Sequence, residues 1–211
     1  MRRLSLALIS FCAASAMYGQ KLEFGVVGGG SFLDNVTASG TTCCGTAGFA
    51  PGFVAGVFVG HNLYSHFAGE IRYEYTQSNL RLASGSQTSD FSGRAHAVHY
   101  DLRYHTNISH SPAQFFAAAG GGIKAFDGNG AEAAYQPLSQ FGFFTKTSQI
   151  KPMFTAAAGI TVSLGGGFSI RGEVRDFITG FPTKVLTPPT GIKYGSVLQS
   201  VVPMVSLVWS K

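Results

Sequence analysis

Polar and apolar residues alternate with a period of two along much of the chain. In Phe67-Ala68-Gly69-Glu70-Ile71-Arg72-Tyr73-Glu74-Tyr75, one face carries Phe67, Ile71, Tyr73 and Tyr75, and the other carries Glu70, Arg72 and Glu74. The run from Val98 to His105 repeats the arrangement, setting His99, Asp101, Arg103 and His105 against aliphatic and aromatic residues. Phe168 to Arg175 does it a third time, with Arg171, Glu173 and Arg175 on the polar face. A helix would scatter these charges around its circumference, whereas a strand sorts them. Reading outward predicts eight strands, at 21–32, 52–61, 67–77, 94–105, 113–126, 150–164, 168–177 and 197–210. Each is about the 9–11 residues a tilted strand needs to cross a bilayer, or slightly longer.

The predicted connections alternate strictly between long (33–51, 78–93, 127–149, 178–196) and short (62–66, 106–112, 165–167). Hairpins of that kind have two ends in different surroundings, as in outer-membrane barrels with short periplasmic turns and longer external loops. The expected fold is all-β, an eight-stranded antiparallel up-and-down transmembrane β-barrel, forming one domain over 20–211. A soluble barrel of lipocalin type would show the same alternation with its faces exchanged. Side-chain size favours the membrane form. The polar faces carry small residues, such as Ala118, Gly120 and Gly122 beside Lys124, or Thr155, Ala157, Gly159, Thr161 and Ser163. The opposing faces are broader, with Phe154, Ile160, Val162 and Leu164, and in the last strand Val201, Val205, Leu207 and Trp209. A narrow eight-stranded interior needs the small set inside.

Composition narrows the remaining classes. Of 211 residues, 45% are hydrophobic, only 12% are charged and 28 are glycine. That excludes intrinsic disorder and a coiled coil. The net charge of +5 includes Arg2 and Arg3, and the other basic residues are scattered singly, so nucleic acid is not an expected partner. Arg2-Arg3, the apolar stretch from Leu4 to Ala14 and the small residues Ala14-Ser15-Ala16 predict an export signal over 1–19, cleaved near 16–19. Cys12 would leave with it. Cys43 and Cys44 would then be the remaining cysteines, too close for a disulfide framework.

Two segments carry a family resemblance: the glycine-rich strand Phe116-Ala117-Ala118-Ala119-Gly120-Gly121-Gly122, and Arg171-Gly172-Glu173-Val174-Arg175-Asp176 after the turn Gly165-Gly166-Gly167. In these and in overall pattern the chain resembles the small OmpA-like and OmpX-like outer-membrane barrels. The resemblance implies an outer-membrane location, contact with membrane lipid and lipopolysaccharide, folding by the barrel-assembly machinery, and a monomer. Trp209 is followed by Ser210 and Lys211, whereas such barrels commonly end on an aromatic residue. No peptidoglycan-binding domain is expected after the last strand, so cell-wall tethering is not carried over.

The candidate interior residues are Glu23, Glu70, Arg72, Glu74, His99, Asp101, Arg103, Lys124, Arg171, Glu173 and Arg175. Buried charges must be paired, and this set holds both signs. The expected role is a lumen plug in a structural or surface-interaction barrel, with no catalytic residue, cofactor or metal assigned. Three alternatives stay open: a periplasmic soluble barrel binding a small apolar ligand, a gated small pore, and a membrane-embedded lipid hydrolase using His99 and Asp101. Histidines five apart flank two short turns, His61 with His66 and His105 with His110. They read as polar turn residues, with zinc or copper binding at one rim as the sharper hypothesis. Gly128-Asn129-Gly130-Ala131-Glu132-Ala133 matches a dinucleotide fingerprint in letters only, because it opens a long loop. External partner specificity is assigned to the Ser-, Thr-, Gly- and Asn-rich loops, and the partner is not named by them.

Overall fold

A computed structural model describes residues 22–40, 45–106, 111–133 and 135–211. The candidate signal peptide, Cys43, Cys44 and His110 lie outside the described residues. Eight long strands form a closed antiparallel barrel: β1 (Leu22–Leu33), β4 (Gly52–Tyr64), β5 (Phe67–Gln77), β8 (Gly93–His105), β9 (Ala113–Gly128), β11 (Ser148–Gly165), β12 (Phe168–Gly180) and β15 (Val197–Ser210). Each pairs with its neighbours in sequence order, and β1 pairs with β15 to close the wall. The expected fold class is what the chain adopts. The soluble barrel is overturned, because the charged faces point inward and the apolar faces outward.

Following the ladder once around the wall starts at Ser148 of β11, opposite Asp127, and returns to β11 at Ala158, opposite Val174. That ten-residue displacement, over eight strands, corresponds to a tilt of about 40° and a backbone radius of about 8 Å. Such a bore holds one layer of side chains and no wide channel. The outer wall exposes Val26, Val57, Ile71, Val98, Ile123, Phe154, Val174 and Val205. Aromatic residues close the belt at both ends. Phe24 stacks on Trp209 at 5.9 Å and Phe67 meets Tyr104 at 5.3 Å near the short turns, while Phe53 lies 6.1 Å from Tyr75 near the long loops. Val205 lies mid-belt and is 61% exposed. Val205→Arg is expected to cost about 2–4 kcal/mol of folding free energy in lipid, read from urea unfolding in liposomes. Arginine at Gln199, near the belt's outer edge, should cost far less.

The long loops are not the plain polar connections that their composition suggested. Those after the first and third barrel strands fold into β2 (Val36–Ser39) with β3 (Gly45–Phe49), and β6 (Leu80–Ser84) with β7 (Gln87–Phe91). With β14 (Lys193–Tyr194) from the last loop they make a five-stranded sheet in the order β14-β2-β3-β6-β7. β10 (Phe143–Phe144) and β13 (Leu186–Thr187) pair separately. The sheet prolongs the barrel wall, since only Asp34-Asn35, Ala50-Pro51, Ser78-Asn79, Ser92 and Gly195-Ser196 interrupt the strands. These joints are bonded across: Ala50 N–H donates to Asn79 O at 2.8 Å, and Ser78 Oγ–H donates to Ala50 O.

The cap has a hydrophobic core of its own. Leu80, Leu82, Val185 and Leu186 are fully buried there, packed with Ala47, Phe49, Phe91, Phe141, Phe144 and Phe181. Ala95, Phe126 and Leu198, inward residues at the loop end of the barrel, belong to the same core. The apolar material therefore sits over the mouth of the lumen. Burial pushes the Tyr194 phenol pKa up, and its hydroxyl donates to Phe141 O at 2.7 Å, fastening one loop to another.

Candidate functional site

The barrel interior is layered from the cap to the short turns. Beneath the cap core lies an apolar layer of Val27, Val54, Ala97, Met153, Phe177, Val202 and Met204. Lys124 stands beside it, nearly fully buried, with its Nζ 5.0 Å from the centre of the Phe177 ring and 5.5 Å from that of Phe126. Two aromatic faces thus surround its charge, an arrangement favoured where a cation is desolvated.

Below that layer the predicted polar residues gather in two tiers. The upper tier joins Arg72, Glu74, His99, Asp101, Glu173 and Arg175. Arg72 Nη1 donates to Glu173 Oε1 at 2.5 Å, and Arg175 Nε reaches the same oxygen at 3.4 Å. Arg175 Nη1 donates to Asp101 Oδ2, whose Oδ1 accepts from Thr155 Oγ1 at 2.5 Å. His99 turns Nδ1 to Asp101 at 3.0 Å and Nε2 towards Glu74 at 3.8 Å. The lower tier is a ring of four. Glu23 Oε2 accepts from Arg103 Nη2 at 2.8 Å and Arg171 Nη2 at 3.0 Å. Glu70 Oε1 lies 2.7 Å from Arg103 Nη1 and accepts from Arg171 Nη1 at 2.6 Å. Arg72 Nε, 4.0 Å from Glu70, links the tiers.

Strand parity delivers these residues to one face, and glycine makes room for them. A Cβ on Gly120 would overlap the Asp101 carboxylate and the Tyr100 carbonyl, and one on Gly122 would overlap His99. On β1, Gly25 lies against the Phe58 ring. The β9 and β11 side of the lumen is thus lined by small residues where the long charged side chains of β5, β8 and β12 cross. Two aromatic residues packed among the charged tiers were not among the candidates. Phe58 lies between guanidiniums, with Arg72 and Arg171 at 4.7 and 4.9 Å from its centroid, and Phe116 takes Arg171 at 5.3 Å. Both share the parity of the small inward residues on their strands, which was the available signal.

The hydrolase geometry does not assemble at His99. Its Nε2 faces Glu74, and the nearby hydroxyl of Thr155 bonds Asp101 instead. The three described histidines of the rim, His61, His66 and His105, do not converge either. His61 is on the outer wall beside Tyr100, with ring centroids 6.2 Å apart, while His105 lines the lumen and lies 6.4 Å from His66. Among the described residues, no group of three or more His, Cys, Asp or Glu is placed to hold a metal. Gly128 ends β9 within an antiparallel pair, so the fingerprint-like segment has no parallel crossover behind it.

A closed wall with an apolar exterior, aromatic belts and a charged interior defines a transmembrane β-barrel. The sequence profile of the outer membrane protein beta-barrel domain matches residues 4–198, and the chain belongs to that family. It is an outer-membrane protein. No curated protein matches the sequence. Among solved structures, the barrel is similar to neisserial surface protein A, at 11% identity and TM-score 0.54, over 88% of this chain and 96% of that one. It is also similar to OprG of Pseudomonas aeruginosa, at 11% identity and TM-score 0.55, over 89% and 93%. At such identity the likeness is one of fold.

Proposed function

We propose that the protein is a structural and surface-interaction barrel whose lumen is closed to general solute flow. The observation that carries this reading is the double closure of the bore: an apolar cap core over one mouth and two tiers of ion pairs beneath it. A solute crossing would have to separate charges that are paired at close range in a bore of low dielectric, at a cost of several kcal/mol per ion. A gated pore would need both the cap and the tiers to open, and they are built from different elements. The cap, the part beyond the lipid, is the surface offered to partners, with lipopolysaccharide and membrane lipid against the belt below it. No residue is assigned to catalysis.

Planar-bilayer recording tests the reading directly. Protein refolded to the form that migrates faster on unboiled SDS gels should give no steady single-channel conductance. Stable channels in that heat-modifiable form would overturn the closed lumen. A band with no heat shift, released by osmotic shock, would overturn the membrane barrel itself.

A further inference from the structure

Below the lower tier the barrel opens into a polar cavity of about 440 Å³ at the end carrying the short turns. Its floor is Arg103, Arg171 and Glu23, and its walls include Gln114, Thr161, Ser163 and Ser169. Three observations define what it can hold. First, the lining is rich in donors, and Glu23 is its one carboxylate. Second, the Nη2 groups of Arg103 and Arg171 meet at Glu23, while their Nε–H groups, closed off from the cavity with Glu23 in place, have no hydrogen-bond partner among the described residues. A guanidinium can only donate, so these groups call for an acceptor. Third, the two carboxylates of the ring differ in freedom: the Glu23 side chain is 17% exposed and that of Glu70 is 1% exposed. Glu23 can swing into solvent, and Glu70 cannot.

We propose that this vestibule binds a small oxyanion, a phosphate or carboxylate group presented from the periplasmic side, which docks on Arg103 and Arg171 in place of the Glu23 carboxylate. Charge agrees with the exchange. Arg72, Arg103, Arg171, Arg175 and Lys124 balance Glu23, Glu70, Glu74, Asp101 and Glu173 when His99 is neutral. Moving Glu23 into water leaves one unmatched cation at the floor, which one anionic group neutralises. Two guanidiniums side by side also suit the several acceptor oxygens of such a group. The hydroxyls of Thr161, Ser163 and Ser169 can serve the remaining oxygens. All of its binding groups lie at the short-turn mouth, so the site does not depend on the upper tier or the cap being closed above it.

The test uses the full mature chain refolded in detergent micelles with its arginine side chains isotope-labelled. Inorganic phosphate and acetate are titrated separately, with chloride at matched ionic strength as control. The Nε–Hε resonances of Arg103 and Arg171 should shift saturably with phosphate, acetate or both, and the stronger one identifies the group. Glu23→Gln should tighten apparent binding roughly tenfold by removing a charge-assisted competitor, and this conservative variant should retain the barrel. Arg171→Gln should abolish saturation. Shifts that are linear and equal for chloride would overturn the site, as would an unchanged affinity in Glu23→Gln. Conductance in the same preparation bears on closure of the lumen alone, so the two readings fail separately.

Discussion

Arg175→Leu is expected to lower the stability of the refolded barrel by about 3–5 kcal/mol, seen as a lower denaturant midpoint in liposomes. Arg175 is fully buried and touches two carboxylates, Asp101 and Glu173. Leucine of similar bulk would leave Asp101 with only His99 and Thr155, and Glu173 with only Arg72. A buried carboxylate without its cation keeps its desolvation cost and loses what offset it. The contrast is Arg81→Leu, which breaks a 2.6 Å pair with Asp90 at the cap surface. There solvent screens the pair, and a change of at most about 1 kcal/mol is expected. A wild-type midpoint for Arg175→Leu would mean that the tiers do not hold the interior together. Restoring stability by adding Asp101→Asn to Arg175→Leu, which removes one carboxylate for the one cation lost and leaves the Arg72–Glu173 pair in place, would show that the unmatched charge was responsible.

The second large effect is steric. Gly120→Val should cost toward the upper end of about 1–3 kcal/mol and sharply reduce the yield of heat-modifiable protein. The added Cβ would overlap the Tyr100 carbonyl, which no rotamer change can move, and the Asp101 carboxylate that anchors the upper tier. Gly172→Ala is the matched control, since its Cβ would meet nothing within 4 Å. It should leave both midpoint and yield unchanged. Equal behaviour of the two variants would refute the view that lumen glycines make space for the charged side chains.

The barrel was readable from the sequence because a lipid-facing wall is apolar at every second residue over its full height. The strand predicted at 67–77 is the observed Phe67–Gln77, and that at 197–210 is Val197–Ser210. Three errors occur at the loop ends, where 113–126 runs on to Gly128, 150–164 begins at Ser148 and 168–177 continues to Gly180, while 52–61 runs on to Tyr64 at a short turn. At the loop ends the strands leave lipid, the alternation loses its contrast, and pairing with the cap keeps them extended. Which polar residues share a face was also readable; which of them pair was not. Arg72 has Glu70 and Glu74 two positions away, yet its 2.5 Å partner is Glu173, brought across the bore by barrel closure. The cap was the least legible part. Its strands are two to five residues long, too short for a period to show, and its core is assembled from four separate loops. Leu80-Arg81-Leu82 carries a trace of alternation whose meaning depends on Phe141 and Leu186 arriving from elsewhere.

The way the long loops fold together decides what an antibody or a phage would recognise. Phe141, Leu186 and Leu82 lie in three different loops and are buried against one another's neighbours, so the outward surface of the cap is a composite of distant segments. A synthetic peptide copied from any one loop would lack the neighbours that give it shape. A binder of the folded cap would therefore read a conformational surface, and sera raised against single-loop peptides would address a form of the chain that the folded cap does not display.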